Sequence, residues 1–169
     1  LVALNSWRIK ARYRKENEEL RVKKQFAELE LKALHAQMNP HFMFNSLNSI
    51  KSYILKAEPK LAAEYLSNFA HLIRMILQNS KEKTISLSQE IETLLLYIEL
   101  EKMRFDNKFE FRYSIDSSLD INKIQVPPLI LQPYVENAIW HGLMHRREVG
   151  KLVICLEQRQ QQIHCIIQD

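Results

Sequence analysis

The sequence predicts helices first and an α+β domain after them, and three observations carry that prediction. Residues 8–36 hold neither glycine nor proline but many Glu, Lys, Arg, Leu and Ala, the composition of a long helix. Apolar residues recur at helical spacing through the next two segments, up to Asn79. Beyond residue 108 the period changes to two: Phe109, Phe111, Tyr113 and Ile115 alternate with charged or polar neighbours, as in a half-buried strand.

Taken in order, the first helical stretch carries Leu20, Ala27, Leu31, Leu34 and Met38, a short heptad seam that calls for a bundled helical partner. The next seam positions are His41 and Asn45, so the seam stops at Pro40. A proline inside a helix removes a hydrogen bond and costs roughly 3 kcal/mol, so a kink is expected there. His41, Asn45, Asn48 and Ser52 then fall on one face as a polar stripe, while Met43, Leu47, Ile50, Ile54 and Ala57 make the stripe expected to be buried. A break at Ala57-Glu58 precedes Pro59, well placed to start a helix that runs to about Asn79. Its apolar face holds Leu61, Tyr65, Phe69, Leu72, Ile73 and Ile76. Two such helices form an antiparallel hairpin that cannot hide its apolar faces alone, so dimerisation into a four-helix bundle is expected.

Residues 80–87 are polar, and Ser88 with Glu90 and Glu92 reads as the start of another helix, burying Ile91, Leu94, Leu95 and Ile98 and ending near Arg104. After the strand from Phe109 come a turn at Asp116-Ser117-Ser118 and a short extended piece, Ile121 to Val126. Pro127-Pro128 is expected to open a helix that ends at a Gly142 cap. Leu152–Leu156 and Ile163–Ile167 read as strands joined by a turn over Gln158–Gln162.

Composition excludes several function classes. With only Gly142 and Gly150, no Walker A loop or dinucleotide fingerprint can be written. No apolar run approaches the ~20 residues of a membrane helix. The net charge of +4 is largely local, since Arg8, Lys10, Arg12, Arg14 and Lys15 crowd the start without an acid. Following Trp7, that cluster fits either a solvated helix face or the cytoplasmic flank of a membrane helix upstream. No base-reading motif accompanies it, so direct nucleic-acid binding is not expected. Cys155 and Cys165, both in apolar strand-like runs, suggest core packing in a reducing compartment. The chain stops in Ile166-Ile167-Gln168-Asp169, a strand leaving the core, and reads as a fragment.

Two places could carry chemistry. A neutral imidazole is a good nucleophile near pH 7, and Asn45 lies one turn after His41 on the same face, where it can hold one ring nitrogen and leave the other to attack. The bland alternative is an ordinary exposed helix histidine. Asn137 and His141 share a face of the later helix beside Glu136, and an amide with a carboxylate can hold a hydrated Mg²⁺. Alone, such a trio is more often surface than site.

Together the two places point to a family. Gln37-Met38-Asn39-Pro40-His41-Phe42-Met43-Phe44-Asn45-Ser46-Leu47-Asn48 resembles the phosphoacceptor box of LytS-like sensor histidine kinases. Gln132-Pro133-Tyr134-Val135-Glu136-Asn137-Ala138-Ile139-Trp140-His141-Gly142 resembles their N box, and Leu87-Ser88-Gln89-Glu90-Ile91, Tyr97 and Arg104-Phe105 match the pattern between. The heptad seam suggests a coiled-coil signalling stalk over 1–27; the resemblance, which runs from about residue 28 to 169, implies a dimerisation and phosphotransfer hairpin over 28–80 and a Bergerat-type ATP-binding α/β sandwich over 84–169, truncated before its glycine boxes and lid.

It implies further that His41 takes a phosphoryl group from ATP and passes it to an aspartate of a response regulator, itself of the DNA-binding kind. Asn137 would bind Mg²⁺, Glu136 would act beside the phosphates, His141 would line the phosphate end, and Asp169 would recognise adenine. The implied setting is a homodimer on the cytoplasmic side of a bacterial inner membrane, attached through an upstream segment. Three departures stand out. Phe42 takes the place of the acid that many kinases carry after the histidine. Trp140 stands where a phosphate-contacting Lys or Arg is common. No glycine box follows Asp169. A non-catalytic dimerising scaffold and a conformational ATPase without phosphotransfer are the alternatives these departures encourage.

Overall fold

The structure, a computed structural model, describes residues 40–106, 108–144 and 148–169. The heptad seam, the stalk and the chain leading into Pro40 lie outside the described residues. The chain divides into two units, Leu1–Met43 and Phe44–Asp169.

Helix α1 (Pro40–Leu55) and helix α2 (Pro59–Asn79) make the expected hairpin. The turn between them needs no glycine. Ala57 takes a left-handed φ of 58°, and the amides of Ala57 and Glu58 bond back to the carbonyls of Ile54 (3.1 Å) and Tyr53 (2.9 Å). That is the Schellman pattern, which satisfies the last carbonyls of α1 before Pro59 starts α2. Tyr65, Phe69, Leu72 and Ile76 of α2 are buried as expected, with Ala62 rather than Leu61 at the first position.

Within the single chain, the α1 stripe expected to be buried is not the one that packs on α2. Leu47 and Ile54 are 53% and 63% exposed, and the buried positions beyond Phe44 are Ser46 and Tyr53. Close approach explains the choice. Ser46 is small enough to lie under Tyr65, whose hydroxyl donates to its Oγ (3.2 Å), and Tyr53 packs on Tyr65 while its own hydroxyl donates to the Met103 carbonyl (2.6 Å).

Helix α3 (Leu87–Arg104) starts two residues earlier than expected. Ser86, not Ser88, is the cap: its hydroxyl accepts from the Gln89 amide (3.2 Å), and Gln89 Oε1 accepts from the Ser86 amide (3.0 Å), a complete capping box. Ser86 also belongs to β1 (Ile85–Ser86), which pairs antiparallel with β3 (Gln125–Val126). Of the extended piece expected over Ile121–Val126 only those last two residues are strand, because residues 121–123 form a turn.

Strand β2 (Phe109–Ile115), β4 (Gly150–Arg159) and β5 (Gln162–Gln168) form a mixed sheet in the order β2-β4-β5. β2 and β4 run parallel, so residues 116–149 must cross over between them, whereas β4 and β5 are antiparallel and turn at Gln160-Gln161. One sheet face presents Phe109, Leu152, Ile154 and Leu156 to the core. Leu87 and Ile91 of α3 join Leu156 there, with Leu95, Ile115 and Ile124 packed around them. Among the described residues the fold is four helices and a mixed sheet, whose first strand, β2, precedes α4.

The crossover holds the largest correction. Pro127-Pro128 does not open a helix. Each proline disfavours α geometry in the residue before it, and Leu129 sits at φ 60°. Helix α4 (Gln132–Asn137) begins later, with Pro133 in its first turn, and continues as a π-helical segment, Ala138–Leu143. Gly142 is therefore no cap: it lies inside the π-helical segment, and no glycine of the chain has a positive φ. The cysteines are corrected too. Cys155 is half-buried and Cys165 is exposed, so neither is core packing, and both are free thiols.

Candidate functional site

Within the second unit, α4, the π-helical segment and β5 enclose a cleft of about 790 Å³. Its walls are apolar through Ile130, Leu131, Tyr134 and Ile167, and polar through Asn137, His141 and Asp169. The size and lining suit a small-molecule site. A π-helical segment costs regular helix bonding and often marks a site. Here the Met144 amide reaches back to Ile139 (3.0 Å), and Asn137 and His141 both line the cleft.

Asp169 arrives from the end of β5, and Gly142 makes room for it. A Cβ at position 142 would overlap the Asp169 carboxylate. Gly150 likewise admits the Leu143 side chain. Both glycines serve close approach, so the left-handed positions fall to Ala57, Asp106, Leu129 and Gln160 instead.

Glu136 does not line the cleft. Its Oε1 accepts from Gln132 Nε2 (2.8 Å), and its charge acts on Tyr97 and Glu101 of α3. Trp140 also turns toward α3. The Arg104 guanidinium lies 4.3 Å over its ring and 4.1 Å over the Phe105 ring, and Trp140 hydrogen-bonds the Tyr97 hydroxyl. So the helix has two working sides, Asn137 and His141 to the cleft, Glu136 and Trp140 to α3.

The α3 side is charged and buried. Glu101 is fully buried and paired with Arg104, leaving Glu101 Oε1 and Arg104 Nε and Nη1 without hydrogen-bond partners. Burial first, and then the neighbouring Glu136 charge, push the Glu101 carboxyl up to about 7, against the opposing pull of Arg104. Burial also raises the Tyr97 hydroxyl well above its usual range. Glu90, about three turns earlier on α3, is buried with both oxygens on backbone amides, Leu129 (2.8 Å) and Leu131 (2.9 Å).

Sequence reasoning missed Glu90 and Glu101 as site-shaping groups, and a signal was available. Positions 90, 94, 97, 101 and 104 share one helix stripe. Leu94 and Tyr97 mark it as buried, so two acids on it had to be buried acids with partners. Cys165 was missed as a cleft residue because strand alternation alone does not say which face meets a cleft.

His41 is exposed on the first turn of α1 and belongs to the first unit; Asn45 is half-buried, and its carbonyl accepts from Ser49 (3.0 Å). Among the described residues no three His, Cys, Asp or Glu gather as a metal-binding group.

Residues 29–109 match the histidine kinase family. The sensor protein LytS of Staphylococcus haemolyticus is 34% identical over 140 residues, which cover 83% of this chain and 24% of that protein. LytS of Bacillus subtilis is 36% identical over 127 residues, 75% of this chain and 21% of that protein. The sensor histidine kinase BtsS of Escherichia coli K12 is 34% identical over 149 residues, 88% of this chain and 26% of that protein. The chain thus spans about a quarter of the length of the curated relatives it matches.

Proposed function

Because the chain belongs to the LytS-like family of sensor histidine kinases, we propose that it is the transmitter segment of such a kinase, in which His41 is phosphorylated from ATP and hands the phosphoryl group to an aspartate of a response regulator. The observation that carries this reading is the convergence of Asn137, His141 and Asp169 on one cleft of nucleotide size. Residues 28–80 are the phosphotransfer hairpin and residues 84–169 the Bergerat-type ATP-binding part. ATP, when bound with Mg²⁺, supplies the γ-phosphoryl group.

The residues present fit that ligand. Ile130, Leu131, Tyr134 and Ile167 offer apolar surface for a base, and the Asp169 carboxylate, seated against Gly142, is an acceptor for an exocyclic amine. The Asn137 amide oxygen is a hard ligand of the kind Mg²⁺ takes, with nucleotide oxygens and water completing its shell. His141 stands beside it to hold phosphate oxygens. Glu136 acts from behind the helix, setting the charge around Tyr97 and Glu101. The His41 ring nitrogen would form the new N–P bond as the P–O bond to ADP breaks, and the ring proton would leave to a base that the apolar Phe42 cannot supply. Asn45 holds the ring for that attack.

Exposed Phe44, Leu47, Ile54, Leu55, Leu61 and Leu66 on the hairpin support a homodimer that buries them in a four-helix bundle. No helix among the described residues is long and apolar enough to cross a membrane, and attachment is assigned to an upstream segment. The test is incubation of the whole protein with γ-labelled ATP. An acid-labile phosphate is expected on the wild type and absent from His41→Gln. Label retained by that variant, or phosphate released with no phosphohistidine, sinks the assignment.

A further inference from the structure

Residues 129–131 present successive backbone amides to one carboxylate. Glu90 Oε2 accepts from the Leu129 amide (2.8 Å) and Oε1 from the Leu131 amide (2.9 Å), and the Ile130 amide also acts on the same group. Consecutive amides around a left-handed residue form a concave nest that binds anions. Here Leu129 is the left-handed residue, at φ 60°, and the anion is a side chain from thirty-nine positions earlier in the chain. Glu90 is 2% exposed, so its carboxylate is shielded from bulk solvent.

The held loop is the cleft wall. Ile130 and Leu131 line the cleft, and the next residues run into the helix that presents Asn137 and His141. A leucine does not stay left-handed unaided, since that conformation is strained for a residue with a Cβ. Without its carboxylate, the loop would lose the partner of its part-buried amides at Leu129 and Leu131 and would be driven to rearrange.

We propose that Glu90 is the positioning residue of the cleft: its buried carboxylate fills the amide nest of residues 129–131 and so sets the wall formed by Ile130 and Leu131 and the start of the helix that carries Asn137. The inference rests on the nucleotide reading of that cleft. Glu90 touches no ligand and acts only through the loop.

The test uses the whole protein and Mg-ATP, titrated calorimetrically well below the melting temperature. Glu90→Gln keeps the size but puts an amide donor against the nest, so the affinity for Mg-ATP is expected to fall by about tenfold or more. In autophosphorylation the KM for ATP should rise while kcat stays close to the wild-type value. Amide hydrogen exchange at Leu129 and Leu131 should speed up by about tenfold or more, with the α2 amides unchanged. Adding Leu129→Gly relieves the left-handed strain and should return part of the affinity to Glu90→Gln.

Wild-type protein that does not bind Mg-ATP overturns the nucleotide reading and this inference with it. Wild-type binding that Glu90→Gln leaves unchanged overturns the inference alone. So does a variant that merely melts earlier, with KM and local exchange as in the wild type.

Discussion

The hairpin and the crossover both start helices at or beside a proline, yet one turn is held by its own sequence and the other by a distant helix. Between α1 and α2 every turn bond is local: the amides of Ala57 and Glu58 reach carbonyls three and five residues back, and Pro59 starts the next helix. Between β3 and α4 the equivalent donors, at Leu129 and Leu131, are taken by Glu90 of α3. The far side of the same helix is held by Arg104 against Trp140. What differs is where the partner of a freed backbone group comes from. A turn that closes on itself can be read from a few residues. A turn closed by another element cannot, and it ties the cleft to whatever moves that element.

The strongest way to sharpen the contrast is through the buried acid on α3. Glu101 holds its proton up to about 7 in the fold, against an ordinary 4.5. The folded state therefore keeps a proton that the unfolded chain releases first. The contribution of this group to stability is full below about 4.5, falls as pH rises, and levels off above about 7. The loss is on the order of 3 kcal/mol at most. Glu101→Gln fixes the neutral form, so its stability should decline less than that of the wild type between about pH 5 and about pH 8. Urea unfolding of both proteins at the two pH values measures the difference, and parallel profiles would show that Glu101 ionises freely in the fold. Among the described residues of the hairpin no carboxylate is buried.

This difference also decides what was legible. The α2 boundaries, the β2 span and the middles of the two later strands follow from hydrophobic period and turn residues, and the structure has them where expected, although Tyr113 is exposed and β4 runs from Gly150 to Arg159, so the turn shrinks to Gln160-Gln161. The face that α1 packs on α2 within one chain was not legible, because Leu47 and Ile54 look like core while Ser46 and Tyr53 do not, and close packing chose the small residue and the long one. The Pro127-Pro128 helix was misread because its donors are satisfied from α3. The site splits the same way. Asn137 and His141 could be placed on one face by spacing, and both reach the cleft; Glu136, one position away, had to turn elsewhere. That Gly142 gives space to Asp169 rather than a turn could not be read from the residues around it.

A smaller effect separates two serines that local pattern makes nearly equivalent. Ser86 caps α3 and also pairs through β1, whereas Ser88 lies inside the first turn. Ser86→Ala should lower stability by about 1 kcal/mol, the usual worth of a helix cap. Ser88→Ala should stay within about 0.5 kcal/mol of the wild type, as for a substitution away from any special feature. Equal losses from the two, read from chemical denaturation midpoints, would return the cap to Ser88 and the helix start to the place its sequence pattern suggests.

The smallest effect tests whether the hairpin turn is as self-contained as its bonds indicate. Ala57 holds a left-handed conformation at φ 58°, which costs about 1–2 kcal/mol for a residue with a Cβ. Glycine removes that strain but adds about 0.5–1 kcal/mol of unfolded-state entropy to be lost on folding. Ala57→Gly should therefore stabilise the protein by about 0.5–1 kcal/mol. Because the turn bonds only to α1, the gain should come without any change at the cleft. Thermal unfolding reads the first part, and amide exchange at Leu129 and Leu131 the second. A destabilised variant would mean that Ala57 has a packing role its exposed position hides. A stabilised variant with altered exchange at the nest would mean that the hairpin turn and the cleft wall are coupled, and the contrast between the two regions would fail at its local end.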